Sequence, residues 1–361
     1  MVVDLRGVVG SSALREAGAL LKQGQLVAFP TETVYGLGAS ALLDESVLEV
    51  FRVKGRPPDN PLIVHVCSKE QMMGFVSHVP ALAHKLMDVF WPGPLTLLLP
   101  KAPEAPLSRF VTAGLPHVGV RMPAHPVALA LIEAAGVPIA APSANVSGRP
   151  SPTRAEHVLR DFDGRIPMVV DGGAVEVGVE STVVEVVGDS VVICRPGGVS
   201  FRDLEAVVGC DRVTFDAAVK VDTASKAESS VSAPKAPGMK YLHYAPKAPL
   251  ILVEGSLELL KCQVDQALSK GACVGVLAFD EILNKLEQAG IYKESLGCED
   301  SAKMAAARLY AALRNFDETP VNEILCFLPV NPRQNDIIQT VINRLLKASK
   351  KIIRDDEELK D

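Results

Sequence analysis

Between Leu26 and Gly38 the chain carries residues that an ordinary core strand has no use for. The apolar run Leu26 to Phe29 stops at Pro30 and continues as Thr31-Glu32-Thr33-Val34-Tyr35-Gly36-Leu37-Gly38, packing two threonines, a glutamate, a tyrosine and two glycines into a short stretch. Small hydroxyls, a carboxylate and glycines at the end of a buried strand suit a place where backbone must approach a ligand closely. A tight loop after a strand accounts for the same residues without a ligand, so the weight falls on whether the pattern recurs. It does: Lys54-Gly55-Arg56-Pro57-Pro58-Asp59-Asn60-Pro61 leads into the apolar run Leu62 to Cys67, and Pro142-Ser143-Ala144-Asn145-Val146-Ser147-Gly148 follows Val137 to Ala141.

Around these loops, strand and helix signals alternate. Apolar residues at helical spacing mark Ser12 to Lys22, Asp44 to Lys54, Pro80 to Phe90, Pro126 to Ala135, Thr153 to Arg160 and Ser200 to Val208. Ser68 with Gln71 starts a further helix. Strands are expected at Leu95 to Leu99, Val118 to Arg121, Met168 to Val170, Thr182 to Val187 and Val191 to Cys194, giving an α/β domain over residues 1–216. From Ala217 the composition turns to Lys, Ser, Ala, Thr and Pro, the mark of a linker, here drawn as 217–248. Its end, Pro237-Gly238-Met239-Lys240-Tyr241-Leu242-His243-Tyr244-Ala245-Pro246, holds more aromatic and donor groups than a spacer needs. Residues 249–361 alternate again: strands at Leu250 to Val253, Ala272 to Ala278 and Glu323 to Leu328, helices at Ser256 to Ser269, Glu281 to Gln288 and Ser301 to Asn315. A last helix, Asn335 to Ile353, runs into a charged tail. That is the pattern of a smaller, Rossmann-like parallel α/β domain without a glycine fingerprint.

Composition narrows the function classes. No apolar run approaches the length of a membrane span, and the acid and base in Met1-Val2-Val3-Asp4-Leu5-Arg6 argue for a cytoplasmic protein with no membrane partner. Seven scattered cysteines without a Cys-x-x-Cys pair read as reduced thiols rather than a zinc site. A net charge of −6 argues against a general nucleic-acid coat protein but leaves room for a local basic cleft. Gly36-Leu37-Gly38 is too poor a match to a dinucleotide fingerprint, and no Gly-x-x-x-x-Gly-Lys-Ser/Thr is present.

The first domain places Lys54, Arg56, Arg121 and Arg195 near strand ends, with His65 inside a strand and Thr31, Thr33, Ser143, Ser147, Ser151, Ser181 and Thr182 among them. Each cation alone suits a solvated surface. As a set at strand ends they suit a crevice for a substrate with several negative charges, such as a nucleoside triphosphate with a carboxylate. Arg121, closing Val118-Gly119-Val120-Arg121, is placed for bidentate capture of the carboxylate.

Taken in order, Phe29 to Leu37, Lys54-Gly55-Arg56 with Asn60-Pro61-Leu62, Trp91-Pro92-Gly93-Pro94-Leu95-Thr96, Arg121-Met122-Pro123, Pro142 to Asn145 with Ser147-Gly148, Glu180-Ser181-Thr182 and Arg195-Pro196-Gly197 resemble the YrdC-type threonylcarbamoyl-adenylate synthases. The segment Pro237 to Pro246 resembles the one that marks their long, two-domain form. The resemblance implies a YrdC-like twisted mixed sheet with helices, an ordered linker, and the smaller parallel domain. It implies a reaction of L-threonine, bicarbonate or CO2 and ATP, with Mg2+ carried mainly by the phosphates, giving threonylcarbamoyl-adenylate and pyrophosphate. The product would pass to tRNA threonylcarbamoyl transferase proteins that modify the adenosine beside the anticodon. Carried over by position, Thr33, His65, Arg121, Ala141 and Ser181 match threonine-binding places. Arg56, Asn60, His117, Ser143, Ser151, Arg195 and Tyr241 match ATP-binding places, Lys54 and Arg56 being the catalytic cations, and His243 and Tyr244 match the linker residues that cover the site as a lid. The synthase would also contact tRNA transiently; the competing expectation is a double-stranded RNA or tRNA binding module that uses the same basic cleft without catalysis.

Overall fold

The computed structural model describes residues 1–6, 11–217, 219, 236–237, 244–329 and 336–355. The chain forms two compact units, the first of Met1–Ser147, Pro152–Glu176 and Glu180–Tyr241, the second of Gly148–Ser151, Val177–Val179 and Leu242–Asp361. Two short pieces of the N-terminal sequence therefore belong with the C-terminal unit, which a division at residue 216 does not express.

The first unit is built on one mixed sheet. Its strands are β1 (Val2–Asp4), β2 (Val27–Phe29), β3 (Gly36–Ser40), β4 (Ile63–His65), β5 (Leu95–Pro100), β6 (His117–Arg121), β7 (Ile139–Ala140), β8 (Met168–Asp171), β9 (Thr182–Val187), β10 (Ser190–Arg195) and β11 (Val213–Phe215). They lie in the order β1-β8-β2-β3-β7-β4-β6-β5-β9-β10-β11. The middle of this order decides where function sits. β4 pairs parallel with β6, setting His65 beside Arg121, while β5 runs antiparallel to β6 and parallel to β9.

Side chains alternate across a strand, and here the alternation separates two chemistries. Val64 of β4, Leu95, Leu97 and Leu99 of β5, Val118 and Val120 of β6, Val184 of β9 and Val191 and Ile193 of β10 join the main apolar core. Their neighbours Ile63, Leu98, Val183 and Cys194 form a separate small cluster on the other face, to which Ala236 adds. His65, His117, Gly119 and Arg121 have the parity of that second face. Convergence thus happens across a sheet face, whereas the sequence pattern pointed to strand ends.

The helices that flank the sheet end where local chemistry says they should. Ser11 caps the first helix, its Oγ accepting from the Leu14 amide at 3.2 Å. Gly55 closes Asp44–Lys54 in the left-handed region at φ 62°, releasing Lys54 and Arg56 on a sharp turn. Ser200 and Asp203 form a reciprocal capping box. Gly36–Ser40, whose first residues close the stretch that also suits a tight loop, is strand β3, buried at every position between β2 and β7. Glycine is needed there because a Cβ on Gly38 would lie 2.9 Å from Phe29 Cε1, so burial and pairing override weak strand propensity.

The second unit has a five-stranded, all-parallel sheet of β12 (Leu250–Gly255), β13 (Val274–Ala278), β14 (Tyr292–Ser295), β15 (Glu323–Pro329) and β16 (Ser349–Arg354), ordered β14-β13-β15-β12-β16. Two expectations change here. The last helix stops at Ala348, and Ser349–Arg354 pairs with β12 as an edge strand. Residues Lys350 to Ile353 carry no strand periodicity strong enough to outweigh a helical reading, and the partner strand decides. Glu281 to Gln288 gives only the turn Asp280–Leu283. Among the described residues no helix is long and apolar enough to cross a membrane.

Candidate active site

Arg121 is the centre of the polar face. Its guanidinium is 3 % exposed, its Nη1 donates to Thr33 Oγ1 at 2.9 Å, and its Nε donates to the Gly93 carbonyl at 3.1 Å. Nη2 lies 2.6 Å from Glu32 Oε1, an ion pair whose angles do not make a hydrogen bond. Thr33 is placed by Thr31, whose Oγ1 lies 2.8 Å from Thr33 Oγ1 and donates to the Val34 carbonyl. The polar loop after β2 is thus a coiled hydroxyl network ending on the arginine.

Beside Arg121, His65 is fully buried against Phe29, ring centroids 6.2 Å apart and edge to face. Burial first, and then the Arg121 charge, push its pKa down to about 3, so the ring is neutral at physiological pH. Its Nδ1 has no hydrogen-bond partner. Ala141 lies across β4, its amide donating to the Ile63 carbonyl. Ser181 Oγ contacts Thr96 Oγ1 at 2.8 Å and accepts from Arg195 Nη2 at 3.1 Å, while Arg195 also grips the Ser181 carbonyl. Gly197 permits this crowding: a Cβ there would fall 2.4 Å from the backbone of 180–182.

The remaining cations lie toward the other loops. Lys54 is 2 % exposed and its Nζ donates to the Ser143 carbonyl at 2.5 Å and to the Asn145 carbonyl, so it ties its helix to the second small-residue loop. Arg56 Nη2 reaches the carbonyls of Asn60 and Pro61. Asn60 is completely buried, yet neither its Oδ1 nor its Nδ2 has a hydrogen-bond partner. A buried amide left unsatisfied costs about 1–3 kcal/mol, which is a reason to look for an absent ligand. Close by, Pro61, Ile63, Leu98, Thr112, His117 and Pro237 line a mostly apolar pocket.

Two of the expected residues are grouped with the second unit. Ser151, which is buried, is one of them. Tyr244 also belongs there, stacked on Tyr310 at 5.3 Å with the Arg344 guanidinium 5.2 Å above its ring. Tyr241 and His243 lie outside the described residues. What the described linker does show is Pro237, whose carbonyl accepts from Arg195 Nη1 at 3.2 Å, and Ala236, 1 % exposed on the polar face. Glu32 and Thr96 stand inside the sequence motifs, yet neither has a local signal that assigns it to the site. Their partners, Arg121 and Ser181, are distant in sequence.

A family model described as telomere recombination, covering the Sua5, YciO and YrdC proteins, matches residues 19–197. A second, described as threonylcarbamoyl-AMP synthase, C-terminal domain, matches residues 199–350. A threonylcarbamoyl-AMP synthase of Bacillus subtilis is 46% identical over 93% of this chain and 92% of its own length. The chain belongs to the threonylcarbamoyl-AMP synthase family. A family member from Pyrococcus abyssi is 43% identical over 97% of both chains. The crystal structure of P. abyssi Sua5 complexed with L-threonine superposes with a TM-score of 0.88 at 42% identity, covering 98% of this chain and 99% of that one. Members of this synthase family thus share both units of the present fold, and the polar face lies in the part matched by the first family model.

Proposed function

We propose that this chain makes L-threonylcarbamoyl-adenylate from L-threonine, bicarbonate or CO2, and ATP, releasing pyrophosphate. The observation that carries the reading is Arg121: a buried guanidinium held by Thr33 and Gly93, beside a neutral His65 whose Nδ1 has no partner. A carboxylate fits such a guanidinium bidentately. The relative crystallised with L-threonine supports the amino acid as its owner.

The chemistry asks for position and charge more than for a reactive side chain. The amino group meets a one-carbon unit, and the carbamate then attacks the α-phosphate in line, so anions must be held together and developing charge neutralised. Lys54, Arg56 and Arg195 supply buried positive charge in the same unit. The unsatisfied Asn60 amide, with His117 on the wall of the small adjoining cleft, is offered to the nucleotide. Among the described residues no group of three or more His, Cys, Asp or Glu is placed to hold a metal. In this reading Mg2+ arrives on the triphosphate, with phosphate oxygens and water as its ligands. Ala236 and Pro237 on the polar face support a linker that helps exclude water from a hydrolysable adenylate.

The product would be consumed by transferase proteins acting on tRNA. The direct test is mass-spectrometric detection of the adenylate after mixing the purified protein with ATP, Mg2+ and bicarbonate, with and without L-threonine. A threonine-dependent peak is expected. No peak, where a family member handled in parallel makes one, would remove the reading, and threonine-indifferent RNA binding would favour the non-catalytic alternative.

A further inference from the structure

Glu32 is the polar residue of the first motif that the reading above leaves without work. It is 6 % exposed, neither carboxylate oxygen has a hydrogen-bond partner, and Oε1 lies 2.6 Å from Arg121 Nη2. A buried carboxylate is costly unless paired and hydrogen-bonded. This one has the charge partner and lacks the hydrogen bonds. Its sequence neighbours do not supply them: Thr31 Oγ1 donates to the Val34 carbonyl, and Thr33 Oγ1 serves Arg121. His125, half-buried, senses the Glu32 charge, its Nδ1 accepting from the Val127 amide, but no hydrogen bond joins its ring to Glu32.

The missing donors have a natural source. An α-amino acid bears its carboxylate and its ammonium on the same carbon, so a ligand whose carboxylate sits on Arg121 brings three N–H donors to the same neighbourhood. Resting on the amino-acid reading of this site, we propose that Glu32 receives the substrate's ammonium group and takes the proton it must lose before reacting. The Arg121–Glu32 pair then matches a zwitterion charge for charge. In the step itself one ammonium N–H bond breaks and a Glu32 O–H bond forms, leaving a neutral amine. The nitrogen lone pair attacks the carbon of bicarbonate, the C–N bond forms, and the departing hydroxyl leaves as water with a second amine proton. Glu32 returns its proton to solvent. A carboxylate that only oriented Arg121 would require none of this.

The test uses L-threonine and (R)-β-hydroxybutyrate, which keeps the carboxylate and hydroxyl but has no ammonium. Calorimetric binding to the full-length wild-type protein should favour threonine by at least about tenfold, the worth of a hydrogen bond to a charged group. Equal affinities overturn the assignment even if no variant folds. Glu32→Gln should lose that tenfold for threonine and leave β-hydroxybutyrate unchanged or tighter, closing the gap. Equal weakening of both acids would make Glu32 a positioning residue for Arg121 and overturn the proposal. At saturating threonine, adenylate formation by Glu32→Gln should fall about a hundredfold, the scale of a lost general base; an unchanged rate removes the proton-transfer half. If wild type binds neither acid, the amino-acid reading itself falls and Glu32 with it. If wild type binds threonine and Glu32→Gln binds it equally, only Glu32's role falls.

Discussion

Both compact units bury arginines, and they use them differently. In the second unit Arg314 donates through Nε and Nη2 to the Pro150 carbonyl, and Arg344 bonds Asn343 Oδ1 while covering the Tyr244 ring. Those guanidiniums hold chain segments together. In the first unit Arg121 is anchored at Nε and Nη1, but the groups around it remain unsatisfied: both Glu32 oxygens, His65 Nδ1, its own Nη2 and, further along, the Asn60 amide. Among the described residues of the second unit, Gln288 Oε1 is the buried side-chain atom in that condition. Burial of a charge therefore does not by itself mark a site. A cluster of buried polar atoms that lack hydrogen bonds does, because a folded chain tolerates that cost where a ligand will remove it.

Substitutions at the two kinds of arginine give the sharpest contrast. Arg121→Ala should lower threonine affinity by about a hundredfold or more, since charged hydrogen bonds are worth about 1.5–3 kcal/mol each; titration calorimetry reads it, and near-wild-type binding would break the contrast. Lys54→Ala or Arg56→Ala should lower adenylate formation by about a hundredfold if these cations neutralise developing charge. Single-turnover rates would show it, and wild-type rates would return both residues to a structural role.

Arg344→Met should act on stability instead. It leaves the Tyr244–Tyr310 stack without its cation and Asn343 Oδ1 without this donor, so denaturant unfolding should show a loss of about 1–3 kcal/mol. The folded fraction should turn over normally; a fall in kcat at full folding would erase the distinction between the units. Gly197→Ala tests the crowding behind Ser181 and should cost about 1–3 kcal/mol by overpacking, read by thermal melting.

A pH dependence tests the first unit in a different way. His65 titrates near 3 when folded and at its ordinary 6.5 when unfolded. Its contribution is complete above pH 6.5 and is lost as pH falls toward 3, because the unfolded chain binds the proton that the folded chain refuses. Below pH 6 the slope should approach about 1.4 kcal/mol per pH unit, and His65→Asn should flatten it in urea titrations between pH 7 and 5. An equal slope in the variant would mean that His65 is solvated in solution.

Much of this fold is written in local sequence signals. Helices with clear periodicity and caps, such as Pro126–Ala135 closed by Gly136, appear where expected because their signal is local. The parallel sheet of the second unit follows from strand and helix alternation. What escaped was decided by partners. β3 looks like a glycine loop until it is set between β2 and β7, and Ser349–Arg354 continues a helix until β12 is beside it.

The same division runs through the site. Short motifs in the chain already specify which side chains exist to meet an amino acid and a nucleotide, because hydroxyls, cations and glycines cluster there with local turn chemistry. They do not show that His65 meets Arg121 across a parallel ladder, that Thr33 and Glu32 meet the same guanidinium, or that Ser181 is clasped by Arg195. Those contacts join residues far apart in the chain. Strand register sets them, and register depends on which face of each strand is buried, a property of the packed sheet rather than of any one segment.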